Sequence, residues 1–392
     1  MLQPNVDNQK ISAIKDTVKE WRRYLHRHPE LSFHEEKTSQ FVYDQLVSFG
    51  GLKVTRPTKT SVVATLIGSQ PGKILGFRAD MDALPIHEEN QAEYVSENPG
   101  VMHACGHDGH TAMLLGAAKI LAEMKDEIRG EIRFIFQHAE ELPPGGAQEL
   151  VDAGVVDDVD YMIGIHLMSL LPTGKVGIVY GPVTANSDMF DLKIVGKGGH
   201  SSQPENSIDP VLMAAQFITN IQQIVSRNLN PKEQLVISTT TLQAGGAKNV
   251  IPESVQIGGS VRSFSPEVRE QAVSFIERIA KGVTEAHGGT YEFHYQYGYS
   301  TVFNDKDLTK IVEECVTEAL GENFVEYGEG AMGGEDFSAY LQKAPGCFIP
   351  VGAGNAEKGI VYPHHHPRFD IDEDALEHGV RIFVQAAKKI LG

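Results

Sequence analysis

The nonapeptide MHACGHDGH (Met102–His110) sets Cys105 and His107 two residues apart across Gly106, with His103 and His110 on either side. Thiolate and imidazole both bind borderline divalent cations, so the pair could hold metal. So dense a cluster could equally be a packed, histidine-rich corner. The remaining ligands decide between the two readings. Asp80-Met81-Asp82 follows the apolar run KILGFRA. In an extended segment residues i and i+2 point the same way, so both carboxylates can face one cavity. His138-Ala139-Glu140-Glu141 follows EIRFIFQ, His166 follows VDYMIGI, and YPHHHPRFD later supplies His364, His365 and His366.

Each place has an ordinary reading. A lone His166 is usually a hydrogen-bonded or exposed histidine, paired glutamates are usually a solvated face, and a histidine run can be a surface tract. Acids closing an apolar strand are harder to dismiss, because burying them unpaired is costly. Recurrence at separate strand ends shifts the weight toward metal. One thiolate, three imidazoles and a carboxylate from four loops exceed the needs of one catalytic ion. They predict two divalent ions, zinc or manganese, with cobalt or nickel as substitutes. A second glutamate beside the ligand would then act as general base on a water made acidic by the ions.

The elements that must position these residues read as strands alternating with helices. Ile11–His26 has amphipathic helical periodicity; Ser61–Gly68 and Lys73–Asp80 are short buried strands. A helix follows His110, with Asp108 as its expected cap. Glu131–Gln137 and Val159–His166 are further strands, with a short helix in GGAQELVDAG between them. This order predicts an α/β fold with a mainly parallel central sheet and helices on both faces. The rhythm changes from Asp188 to about Tyr295: strand, long helix (Ile208–Arg227), two strands (Leu235–Leu242, Ser254–Arg262), helix (Pro266–Ala286), strand. That β-α-β-β-α-β order is a two-layer, ferredoxin-like α+β domain. The expected organisation is a catalytic domain over 1–184 and 298–392, interrupted by an inserted lid or dimerisation domain over 185–297.

Composition narrows the partners. The 392-residue chain exceeds the size at which one core usually stops growing. A net charge of −18 disfavours nucleic acid and anionic membranes, which need a positive face. Three scattered cysteines suggest a reducing compartment. With no apolar signal segment and no run of membrane-spanning length, a cytoplasmic location is expected.

The segments RRYLHRHPELSFHE, FRADMDALPI, MHACGHDGHTAMLLGAA, FIFQHAEE, GIHLMSLLPTGKVG, GKGGHSSQPENSIDP, GGAKNVIPE, GGSVRSF, GGEDFSAY and HHHPRFDIDEDAL run in order over nearly the whole chain. Together they resemble the metal-dependent amidohydrolases of the aminoacylase–carboxypeptidase G clan, of peptidase M20 type. The chain is most similar to the subgroup that cleaves hippurate, auxin–amino acid conjugates and N-acetyl-diaminopimelate. The resemblance implies hydrolysis of the amide bond of N-acyl amino acids; a dipeptidase or aminopeptidase of the same clan is the rival. It also implies Cys105, His107, Glu141, His166 and His365 as metal ligands and Glu140 as general base. His365 is selected by an H-x-P-x-F-D pattern, with His364 and His366 as neighbours able to replace it. Asp80 and Asp82 fall on the first acidic loop, behind the ligands. His200 matches a residue that reaches a partner subunit's site and stabilises the oxyanion. Asn249, Arg262 and Gly334 match substrate-binding positions, Arg262 as a fork for a carboxylate. A homodimer through the lid, or a higher assembly, follows from the same resemblance. His138 stands where the family often has proline, and could lie beside the metals or behind them.

Overall fold

The structure is a computed structural model and describes residues 6–392. The elements run α1 (Val6–Ala13), α2 (Lys15–Arg27), α3 (Glu36–Phe49), β1 (Lys53–Thr55), β2 (Val62–Ile67), β3 (Gln70–Asp80), α4 (His107–Glu123), β4 (Arg129–Gln137), α5 (Gly146–Asp152), β5 (Tyr161–Pro172), β6 (Val176–Ile178) and β7 (Gly181–Thr184). They continue with β8 (Asp188–Val195), β9 (Gly199–His200), α6 (Pro210–Asn220), β10 (Leu235–Gln243), β11 (Val250–Ile251), β12 (Ser254–Ser263), α7 (Pro266–His287) and β13 (Thr290–Gln296). The chain closes with β14 (Val302–Asn304), α8 (Lys306–Leu320), β15 (Val325–Tyr327), β16 (Gly346–Gly354) and α9 (Asp374–Leu391).

The chain divides into two compact units. One holds the chain through Val183 with Val302–Glu329 and Asp336–Gly392; the other holds Thr184–Thr301 and Gly330–Glu335. The first is built on an eight-stranded sheet, ordered β1-β2-β4-β3-β5-β16-β6-β15. Its central pairs β4/β3, β3/β5 and β5/β16 are parallel, as is β6/β15. The mainly parallel sheet read from the sequence is therefore present. Alternation along the strands feeds two cores: Ile132, Phe134 and Phe136 of β4 join one, Ile135 the other. Helices α4 and α9 cover the first face. Their close approach uses Gly116, where an added Cβ would lie 2.9 Å from both Val18 and Val380 side chains. Any side chain there would push α4 off its neighbours.

The second unit carries the antiparallel sheet β10-β12-β8-β13, the order a split β-α-β pair produces, with α6 and α7 against the face lined by Phe190, Leu192, Ile257 and Phe293. Two expected helices are interrupted. Ile14 leaves helical dihedrals (φ −101°, ψ 2°) and packs on the main core, splitting the first into α1 and α2. The long helix expected over Ile208–Arg227 begins at Pro210, capped by the Asp209 carboxylate, and gives way at Ile221 to a π turn over Ile224–Asn228. Ile221 and Ile224 are both buried across that break, so packing overrides helical regularity. Among the described residues no helix is long and apolar enough to cross a membrane.

Candidate metal centre

The carboxyl ends of β3 and β4 lie side by side, with Asp80 opposite Gln137 in register. This places the Asp80–Asp82 loop against the Glu140–Glu141 loop at the edge where parallel sheets hold ligands. Asp80 and Asp82 then do different work. Asp80 accepts from the Arg78 guanidinium (2.7 Å) and from His110 Nδ1 (2.6 Å). Burial disfavours its charge, but Arg78, His107 and His110 outweigh that and hold its carboxyl well below the usual range. Asp82 receives the backbone N–H of Glu140 on one oxygen and of Glu141 on the other, both at 3.0 Å, and the Ser32 hydroxyl at 2.7 Å. One carboxylate thus orients the whole acidic pair.

His107 opens α4. Gly106 before it has φ +95°, a left-handed turn that glycine adopts without strain. Cys105 and His107 lie on either side of this turn into the helix. The cap position belongs to Gly106; Asp108, expected there, lies inside the first turn. Its carboxylate faces Arg22 Nε (2.7 Å) and His26 Nδ1 (2.8 Å), because a fully buried guanidinium needs a counter-charge.

Histidine tautomers follow from their partners. His107 Nδ1 donates to the Asp82 carbonyl (2.9 Å), and Nε2 is buried without a hydrogen-bond partner, so it is the nitrogen on which a metal cation can take the place of a proton. Asp80 and Glu141 oxygens lie 3.6 and 3.8 Å from it. His166 Nδ1 donates to the Leu167 carbonyl, so its Nε2 faces Cys105 Sγ at 3.5 Å. His110 accepts from Leu167 N through Nε2 and donates to Asp80, so both nitrogens are used and it serves as a support. His364 likewise donates Nε2 to the Leu167 carbonyl (2.8 Å). His365 sits in the left-handed region (φ 65°), is tied by its N–H to the Ala104 carbonyl (2.8 Å), and brings Nε2 within 3.1 Å of Glu141 Oε1. His366 stacks on Tyr362. His103 is buried with neither ring nitrogen bonded.

Among the overlapping groups whose donor atoms lie within 4.8 Å of one another are Cys105, His107 and His166; Cys105, Glu141 and His365; and His107, Glu140 and Glu141. The donor set fits divalent cations. Burial opposes a charge on His107, yet Asp80, Asp82 and Glu141 lift it to about 10, so the surrounding carboxylates favour positive charge at this position. Burial, with Glu141, Glu140 and Asp80 alongside, pushes the Cys105 thiol well above its usual value. A thiol so placed gives up its proton when a cation compensates the charge.

His138 lies behind this pocket. Its Nε2 is 3.1 Å from Glu149 Oε2 and its ring stands edge-on to Phe33. Sequence reasoning passed over the segment that braces the acidic loop. Ser32 holds Asp82, and Glu35 accepts from Ala139 N (2.8 Å), Phe33 N (2.9 Å) and the Thr60 hydroxyl (3.0 Å). Burial, then Asp82, push the Glu35 carboxyl up to about 7. Its signal in the sequence is the SFHE stretch that ends RRYLHRHPELSFHE.

His200, Asn249, Arg262 and Gly334 lie on the second unit. His200 is exposed on β9, paired with Val250 of β11, and its Nδ1 accepts from Ser202 N (3.1 Å). Asn249 is exposed beside it, its carbonyl accepting from Ser201 N (3.1 Å). Arg262 lies over Gly334, where an added Cβ would come within 3.1 Å of its guanidinium. The next residue, Ser263, is clamped by Asn186 Oδ1 through its N–H (2.9 Å) and hydroxyl (2.5 Å).

Residues 76–389 match the model of Peptidase family M20/M25/M40. The chain is 60% identical over 294 residues to an N-acyl-L-amino acid amidohydrolase of Geobacillus stearothermophilus, covering 75% of this chain and 80% of that one. It is 40% identical to thermostable carboxypeptidase 1 of Saccharolobus solfataricus over 94% of each. Among solved structures it is similar to the Bacillus subtilis YxeP protein, a dinuclear metal-binding peptidase. The TM-score is 0.86 at 34% identity, over 97% of this chain and 99% of that one.

Proposed function

We propose, from the premise that the chain belongs to peptidase family M20/M25/M40, that it is a hydrolase removing the acyl group of N-acyl amino acids with two divalent ions. The carrying observation is the convergence of Cys105, His107, Glu141, His166 and His365 around a pocket that also contains Glu140. Cys105 is common to two of the donor groups, which suits a pair of neighbouring ions, zinc or manganese by ligand type. When bound, such ions supply Lewis acidity toward the amide carbonyl and an attacking water.

The chain's own residues do the rest. Glu140 takes the proton of the attacking water and delivers it to the departing amine. Asp82 fixes Glu140 through its backbone N–H, so the base enters the reaction without reorganising. Asp80 orients the buried imidazoles from behind. His200, contributed by a second subunit, stabilises the oxyanion that forms as water adds. Arg262, Asn249 and Gly334 bind the substrate, Arg262 taking the carboxylate of the amino acid. The three free, buried cysteines support a cytoplasmic location, and a homodimer follows from the second-subunit role proposed for His200.

A second reading, peptide hydrolysis, has the carboxypeptidase relative in its favour. A panel of acetyl-, benzoyl- and indole-acetyl-amino acids, assayed beside dipeptides on protein of measured metal content, separates the two. Turnover of the acyl amino acids with two ions per chain is expected. Activity on dipeptides alone, or full activity with one ion, would overturn the reading.

A further inference from the structure

We infer that Glu35 is a positioning residue for the Glu140–Glu141 pair, holding the kinked backbone of Ala139 from which both acids project. The inference rests on the roles proposed for those two glutamates. Only three described non-glycine residues have positive φ: Phe33 (66°), Ala139 (49°) and His365 (65°). The first two are held by a single atom, since Glu35 Oε1 accepts both the Phe33 N–H (2.9 Å) and the Ala139 N–H (2.8 Å). L residues keep such dihedrals only where their surroundings impose them.

The chain around Ala139 is pinned in series. Its N–H goes to Glu35 and its carbonyl accepts from Gly146 N (3.0 Å). The next two N–H groups go to the two oxygens of Asp82. Without the left-handed residue, the chain leaving β4 would not turn both of these N–H groups onto one carboxylate. Glu35 is fully buried, and the Thr60 hydroxyl holds its second oxygen at 3.0 Å.

A purely local role is poorly supported. Glu35 occupies the cap position of α3, yet its side chain makes no capping bond. That work falls to Glu30, whose Oε2 accepts from Lys37 N and Thr38 N, both at 2.9 Å. A residue that only began a helix would have no need to reach a loop 104 positions away.

The test compares Glu35→Ala, Glu35→Gln and the double variant Glu35→Ala/Ala139→Gly, each loaded with metal. Glu35→Ala should lower kcat about 100-fold with KM little changed, as misplacement of a base does. It should also release metal to chelator at a lower concentration than the parent, a readout independent of turnover. Glu35→Gln keeps an acceptor for both N–H groups and should stay within about threefold of the parent. Ala139→Gly adopts positive φ without help, so the double variant should regain at least about tenfold in kcat. Glu35→Asp, too short to span both donors, replaces Glu35→Ala if the latter does not fold, with the same rescue expected. Parental kcat and metal retention in Glu35→Ala would overturn the inference. So would a folded Glu35→Ala that neither Gln nor the glycine rescues. If instead Glu140→Gln remains active, the base assignment fails, while the metal-release result still reports on Glu35.

Discussion

Two sides of the metal pocket are built to different standards. On the inner side Cys105, His107, Asp80 and Asp82 are buried, and the imidazole and both carboxylates are braced from behind. Asp82 holds His107 and the acidic loop, Arg78 holds Asp80, and the Arg22–Asp108–His26 cluster underlies the start of α4. On the outer side His365 is half exposed, in left-handed backbone, and its ring is hydrogen-bonded, among the described residues, to Glu141 alone. A braced donor loses little freedom when it takes up a cation; an exposed ring must be immobilised. The inner donors are therefore expected to retain metal when the outer ones release it.

Four substitutions probe this contrast. Glu140→Gln should cut turnover by about 10²- to 10⁴-fold while leaving two ions per chain by elemental analysis, since it removes a proton acceptor and no ligand. If activity survives, Glu140 is not the base. His365→Ala should cost about 100-fold in turnover and lose one ion on dialysis, the other staying on the inner donors. Loss of both ions would show that the outer side is the tighter. Asp108→Asn removes one of the counter-charges of the buried Arg22 guanidinium, which keeps Asp370 at 2.8 Å, and should lower the stability of that unit by about 1–3 kcal/mol. An unchanged melting temperature would remove the cluster from the argument. His366→Ala, which removes the stack on Tyr362 and the ring nitrogen that accepts from Arg368 N (3.0 Å), should change turnover by less than about threefold; a loss as large as that of His365→Ala would move the ligand to His366.

Much of the inner wall is legible in the primary structure, because parallel strands announce themselves as apolar runs and the chemistry falls at their ends. KILGFRA ending in Asp80 and EIRFIFQ ending before the acidic pair are of this kind. The braces are not legible. Ser32 and Glu35 sit in a loop whose spacing suggests only the start of a helix, and Arg22 looks like a surface charge until three chain segments close over it. Asp108 misleads for the same reason: an acid at a helix start is a good cap in isolation, and a buried arginine outbids the backbone for it.

The amino-acid sequence by itself determined the alternation of strands and helices, the ferredoxin-like order between Asp188 and Gln296, and the placing of metal-capable side chains at strand ends. These follow from short-range periodicity and residue chemistry, which act over a few positions. Only the tertiary structure decided which nitrogen of each histidine keeps its lone pair. It alone revealed that one carboxylate, Asp82, orients Glu140 and Glu141, and that Glu35 grips two left-handed residues 106 positions apart in the chain. Such choices depend on partners remote in sequence, and a hydrogen bond forms only where packing brings donor and acceptor within about 3 Å.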